Sequence, residues 1–205
     1  MEKLNIISKE YRTGTIQAWL DNDMKVANSI IEKHSDINTD HDWYDFVYGG
    51  FIEDSSKLGF NIEACDIQFS GFCSQGDGAS FIGDVSIVQY LRGTKQLSSY
   101  KSLRTAVDND YIDDLVFIER NSSYYSHENT CSLEEVSQIE YERMTDLMLE
   151  QISDIENELE ATRLELCKDL YKRLEEAYNY LTSRETIIET LASNEYEFDE
   201  YLEIQ

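Results

Sequence analysis

An apolar stripe with a period of about 3.6 residues runs through Met144, Leu147, Met148, Ile152, Ile155, Leu159, Leu166, Leu170, Leu174 and Tyr178. The positions between are mostly Glu and Asp. The pattern predicts helix over residues 138–180, longer than a compact domain ordinarily holds. Such a stretch either breaks near 160–166 into a helical hairpin or continues as one rod. A rod with this seam can pair with a second copy as a homodimer. Thr182 or Ser183 then caps a last short helix, and Asn194-Glu-Tyr-Glu-Phe198 reads as an extended tail. Residues 138–205 thus form an acidic helical region behind residues 1–137.

The first 137 residues change period several times. Ser8 is placed to cap a helix with Glu10 in its first turn, and a polar Asp-Asn-Asp break around Asn22 divides that helix in two. Asp40 or Asp42 caps a second helical run, whose core-facing stripe is Trp43, Phe46, Val47, Phe51 and Leu58, with Gly59 as its C-cap. Alternation then predicts strands over 62–73 and 80–88, a helix over 97–107, and further strands over 115–118 and 130–136. The resulting class is α+β: an antiparallel sheet of about four strands packed by N-terminal helices, with the long acidic helix or hairpin behind it.

Charge limits what such a chain can bind. There are 42 acids against 17 bases, a net of −25. The 12% aromatic content argues for a folded chain, since disordered acidic chains are poor in aromatics. A nucleic-acid binder needs basic patches, and none is visible, so direct nucleic-acid binding is not expected. The complementary partner is a protein with a basic nucleic-acid-binding groove, approached by an acidic surface that imitates the DNA backbone. No segment reaches eighteen apolar residues, so no membrane span is expected. Cys65, Cys73, Cys131 and Cys167 lack CxxC spacing and read as reduced thiols of a cytoplasmic protein.

No catalytic, cofactor or metal motif emerges, and no enzyme is expected. Asp108, Asp110 and Glu119 fall at calcium-loop positions, but the required glycine is Asp113 and an oxygen ligand is replaced by Ile112. His127 beside Tyr124 has no orienting carboxylate and no nucleophile elbow. Residues 69–83 hold the densest turn chemistry, with Gly76, Asp77, Gly78 and Gly83 expected to supply positive φ in a hairpin. The candidate partner-binding residues are Phe72, Ser74, Gln75 and Asp77 on that hairpin, and Glu150, Asp154 and Glu158 on the long helix.

Several strings carry a resemblance: Trp43-Tyr-Asp-Phe-Val-Tyr48, Phe69-Ser-Gly-Phe-Cys-Ser-Gln-Gly-Asp-Gly-Ala-Ser-Phe-Ile-Gly83, Tyr124-Tyr-Ser-His127, Leu174-Glu-Glu-Ala-Tyr-Asn-Tyr-Leu-Thr-Ser183 and Asn194-Glu-Tyr-Glu-Phe198. In this order they resemble a family of small phage-encoded proteins often labelled as the antitoxin of a toxin–antitoxin stability system. The resemblance covers most of the chain beyond residue 40. This chain has Cys73 where many relatives carry Trp, and a longer, more acidic helix over 138–166. The resemblance implies a phage accessory protein that is not an enzyme. The expected role is to bind and inhibit a host nucleic-acid-handling defence protein, of the anti-CRISPR or anti-restriction type. Neutralising a toxin is the alternative, and a small-ligand role for the 69–83 hairpin a further one.

Overall fold

A computed structural model of the chain describes residues 5–8, 11–121, 125–199 and 201–204. Its class is α+β, with antiparallel sheets and a long C-terminal helix. The elements gather in two compact units, Met1–Trp43 with Glu176–Gln205, and Tyr44–Glu175. A linear cut after residue 137 falls elsewhere, because the tail folds back onto the N-terminal strands. No helix among the described residues is long and apolar enough to cross a membrane.

In the first unit β1 (Asn5–Ser8) and β2 (Tyr11–Thr15) form an antiparallel pair. Ser8 therefore ends a strand rather than capping a helix, and Glu10 lies outside the described residues. The Tyr-Arg-Thr-Gly-Thr run is rich in strand formers and delays the helix to Thr15. The Thr15 hydroxyl accepts from the Ala18 N–H at 3.2 Å and opens α1 (Ile16–Asn22). The expected break follows: Asp23 accepts from the Val26 N–H and starts α2 (Met24–Lys33). Ser183 caps α7 (Arg184–Ser193), and β9 (Glu197–Asp199) pairs with β2. Ile16, Trp19, Ile30, Ile187, Leu191 and Phe198 make the core, with the Trp19 indole N–H donating to the Phe198 carbonyl at 3.0 Å.

The second unit begins with α3 (Asp45–Ser56). Val47, Tyr48, Phe51 and Ser55 line its inner face, whereas Phe46, assigned to the core from its spacing, is 68% exposed. A helix starting at Asp45 turns position 46 outward. Gly59 adopts φ +81° beyond the helix end, as its C-cap position required. Then come β3 (Phe60–Asn61), β4 (Ile67–Ser70), β5 (Gly78–Phe81), β6 (Gly83–Ser86), α4 (Ile87–Gly93), α5 (Lys101–Asp108), β7 (Leu115–Arg120) and β8 (Cys131–Leu133).

The strands do not join in one sheet. β3-β6-β7-β8 form a four-stranded antiparallel sheet, and β4-β5 stand apart as a hairpin. The run expected as one strand over 80–88 is cut after Phe81. Its last residues open α4, where Ser86 Oγ accepts from the Gln89 N–H and the Asp114 carboxylate accepts from the Val88 N–H. Over the Asp108–Glu119 stretch, Asp108 ends α5, residues 109–114 turn, and Glu119 lies within β7.

The long helix α6 (Asp146–Leu181) is continuous over 36 residues and does not break near 160–166. The chain has no proline to interrupt it. It starts later than the periodicity implied. Residues 138–145 hold only a 3₁₀ turn at Tyr141–Arg143, and Gln138 takes φ +54°. The buried stripe is Met148, Ile152, Ile155, Leu159, Arg163, Cys167, Leu170 and Leu174. Leu147, expected in the stripe, is 51% exposed, and an arginine and a cysteine occupy its centre.

Candidate functional site

The 69–83 stretch is a hairpin, with Ile67 opposite Phe81 and Ser70 opposite Gly78. Its loop is wider than a two-residue turn. Asp77 clasps it: Oδ2 accepts from the backbone N–H of Cys73 at 2.9 Å and of Ser74 at 2.6 Å. Gly76 supplies φ +101°. Gly78 does not take positive φ. A side chain there would lie 2.4 Å from His127 Cβ, so its role is close approach. Phe72 stacks between Phe69 and Tyr171 of α6, and Tyr44 meets Phe69 edge-on. Phe72 and Asp77 therefore hold the loop's shape, while Ser74 and Gln75 lie exposed at its tip.

The acids of α6 divide by direction. Glu158 accepts from the Tyr100 hydroxyl at 2.6 Å. Burial first, then this bond to a carboxylate, push the Tyr100 phenol far above its ordinary range. Glu156 accepts from the Val136 N–H at 2.8 Å and Glu160 from the Leu133 N–H at 3.3 Å. These carboxylates satisfy backbone donors of β8 and the segment after it. Glu150 and Asp154 instead face solvent.

Glu150 and Asp154 continue a longer acidic surface. Glu134, Glu135, Glu140, Glu142 and Asp146 are also exposed, and the only base between residues 134 and 154 is Arg143, paired with Glu140 at 3.0 Å. Tyr141 (68% exposed), Leu147 and Leu149 interleave with these acids. A groove of about 430 Å³ runs between the segment that precedes α6 and α6 itself, lined by Glu135, Val136, Ile139, Tyr141, Leu149 and Glu156. The periodicity hid this surface by continuing the helix back to 138. No local signal marks it, because Ile139 lies three residues after Val136 and Tyr141 three before Met144, a spacing that a helix also allows.

The hairpin tip and this surface are separate places. Asp154 and Tyr171 lie seventeen residues apart on one continuous helix, about 25 Å along its axis.

A third cluster is buried. Arg163, 1% exposed, donates through Nε and Nη2 to both oxygens of Glu160 at 2.7 and 2.6 Å. Its Nη1 donates to the Glu128 carbonyl at 2.8 Å and reaches Cys131 Sγ at 3.1 Å and Cys167 Sγ at 3.8 Å. The two sulfurs are 4.0 Å apart. A hydrogen bond from Cys167 and the Arg163 charge pull the Cys131 thiol down to about 6 against the burial that raises it. Cys167 is pushed up, by that same bond first and burial second. Burial disfavours charge on Arg163, but Glu160 and the sulfurs hold the guanidinium protonated. In the sequence these two cysteines stand only as reduced thiols, because they are 36 residues apart and carry no motif that joins them.

All four cysteines are free thiols. His127 Nδ1 accepts from the Asn129 N–H in a tight turn, and Tyr124 lies outside the described residues. Glu63, Cys65 and Asp66 bring three possible ligand atoms within 4.8 Å of one another, all at the surface, and the Cys65 thiol already donates to Glu63.

One family model, described as Domain of unknown function (DUF8835), matches residues 43–184. No curated protein and no solved structure matches the chain.

Proposed function

This chain belongs to the family described as Domain of unknown function (DUF8835), and from that premise we propose that it is an interaction protein. Its acidic surface occupies the basic nucleic-acid-binding groove of a partner protein. On this reading it is a phage accessory factor that inhibits a host defence protein in the host cytoplasm. The observation that carries the proposal is the surface from Glu134 to Asp154, where seven exposed acids face one base that is already paired.

Magnitudes shape the reading. Acids four apart on a helix place one charge about every 6 Å, against one per ~3.4 Å along a single DNA strand. The α6 row alone is too sparse to imitate a phosphate backbone. The segment before it supplies Glu134, Glu135, Glu140 and Glu142, raising the charge density. Tyr141, Leu147 and Leu149 give apolar contacts that a purely solvated acidic face would not present.

The test compares the wild type with a Glu142→Lys/Glu150→Lys/Asp154→Lys variant, each immobilised and exposed to host lysate at low and high salt. A nucleic-acid-binding protein is expected on the wild type at low salt. High salt, duplex DNA and the charge reversal should each remove it. Capture indifferent to DNA and to the reversal, or no capture at low salt, would sink the reading.

A further inference from the structure

We propose that Cys131 and Cys167 are a peroxide-reactive dithiol site, which a hydroperoxide converts to a disulfide joining β8 to α6. The geometry is the 4.0 Å separation of the sulfurs and the guanidinium of Arg163, which lies against both. The sulfurs need to close by about 2 Å to reach disulfide bond length. A cation held by Glu160 and the Glu128 carbonyl keeps a thiolate in place without a metal. The role is separate from the acidic surface.

Cys131 is the attacking sulfur, because it lies nearer Arg163 and its thiol is drawn down to about 6. Its thiolate attacks one peroxide oxygen. The S–O bond forms as the O–O bond breaks, and the leaving hydroxide or alkoxide takes a proton from solvent. The product is a sulfenic acid on Cys131. The Cys167 thiol then attacks that sulfur, the S–S bond forms as the S–O bond breaks, and the thiol proton leaves with the hydroxyl as water. Two electrons pass from the sulfurs to the peroxide, which is the only oxidant required.

The site reverses the order that exposure alone would set. Cys65 is exposed, but the adjacent Asp66 carboxylate, a small desolvation and Glu63 raise its thiol and suppress the thiolate. The buried pair holds the thiolate, and the Arg163 guanidinium bridges it to Glu160, whose side chain is 39% exposed.

The experiment treats the reduced full-length protein with a small excess of hydrogen peroxide at neutral pH. Samples are acid-quenched and then alkylated in denaturant for peptide mapping. The expected product is two hydrogen masses lighter, with Cys131 linked to Cys167, and it forms before Cys65 is modified. In a Cys167→Ser variant the reaction should stop at the sulfenic acid, trapped on Cys131 by dimedone. Oxidation of Cys65 and Cys73 with Cys131 and Cys167 still fully alkylatable overturns the proposal in the wild type, whatever the variant does. A dimedone adduct confined to the exposed cysteines of a folded Cys167→Ser protein overturns the assigned order.

Discussion

At position 163 the core stripe of a long helix carries a charge. Arg163 escapes the cost of burial because its donors are met by Glu160, a backbone carbonyl and sulfur. The cluster couples stability to pH. Cys131 titrates near 6 in the folded chain, below its unfolded value, so its contribution is present above the unfolded thiol range and lost as pH falls through about 6. Cys167 shifts the other way, so its contribution is lost as pH rises past the unfolded thiol range. Between these limits the folded state binds one proton fewer than the unfolded state, and stability should rise by up to about 1.4 kcal/mol per pH unit. Urea unfolding of wild type and Cys131→Ser from pH 6 to 8 isolates the effect, and parallel pH profiles would refute it. The periodicity placed Leu166 in this stripe, where it is only half-buried. It could not show that Arg163 and Cys167 face inward, because Cys131 and the Glu128 carbonyl, which meet them there, come from β8 and the turn before it.

Element-scale features were legible where local chemistry decides them. The Asp23 break, the Gly59 cap, the 69–83 hairpin and the Ser183 cap each rest on a few neighbouring residues. The strand over 80–88 was misread because its residues serve two sheets and a helix start. The beginning of α6 was misread because Gln138 to Arg143 are acceptable helix formers. Those residues instead lie beside α6, and Glu156 and Glu160 accept the N–H groups of Val136 and Leu133. Replacing Glu156 by Ala should therefore cost about 1 kcal/mol. It should also speed amide hydrogen exchange at Val136 without affecting the β4–β5 hairpin. Unchanged exchange at Val136 would mean that water serves that donor equally well.

For the whole molecule, a net charge of −25 opposes compaction. Lys57, Arg104, Arg143 and Arg173 are each held by carboxylates at the surface, and over the chain acids outnumber bases 42 to 17. Raising ionic strength from about 0.01 M to about 0.15 M shortens the Debye length from ~30 Å to ~8 Å. The melting temperature should rise by several degrees over that range, read by scanning calorimetry. The same screening should weaken capture of a basic partner. A melting temperature indifferent to salt would show that the acids are already neutralised within the fold.

The sequence alone determined the class, the helical character of the C-terminal region, the hairpin and the sign of the surface. Each follows from periodicity, turn residues or a sum of charges, which are local or additive quantities. Tertiary structure decided the rest. It divided the strands among three sheets and folded the tail back onto β2. It also assigned some acids to backbone donors and others to solvent, and brought Cys131 to Cys167 across 36 residues. The common physical reason is that a buried polar group must find its partner wherever the chain happens to return, and no short window of sequence contains that information.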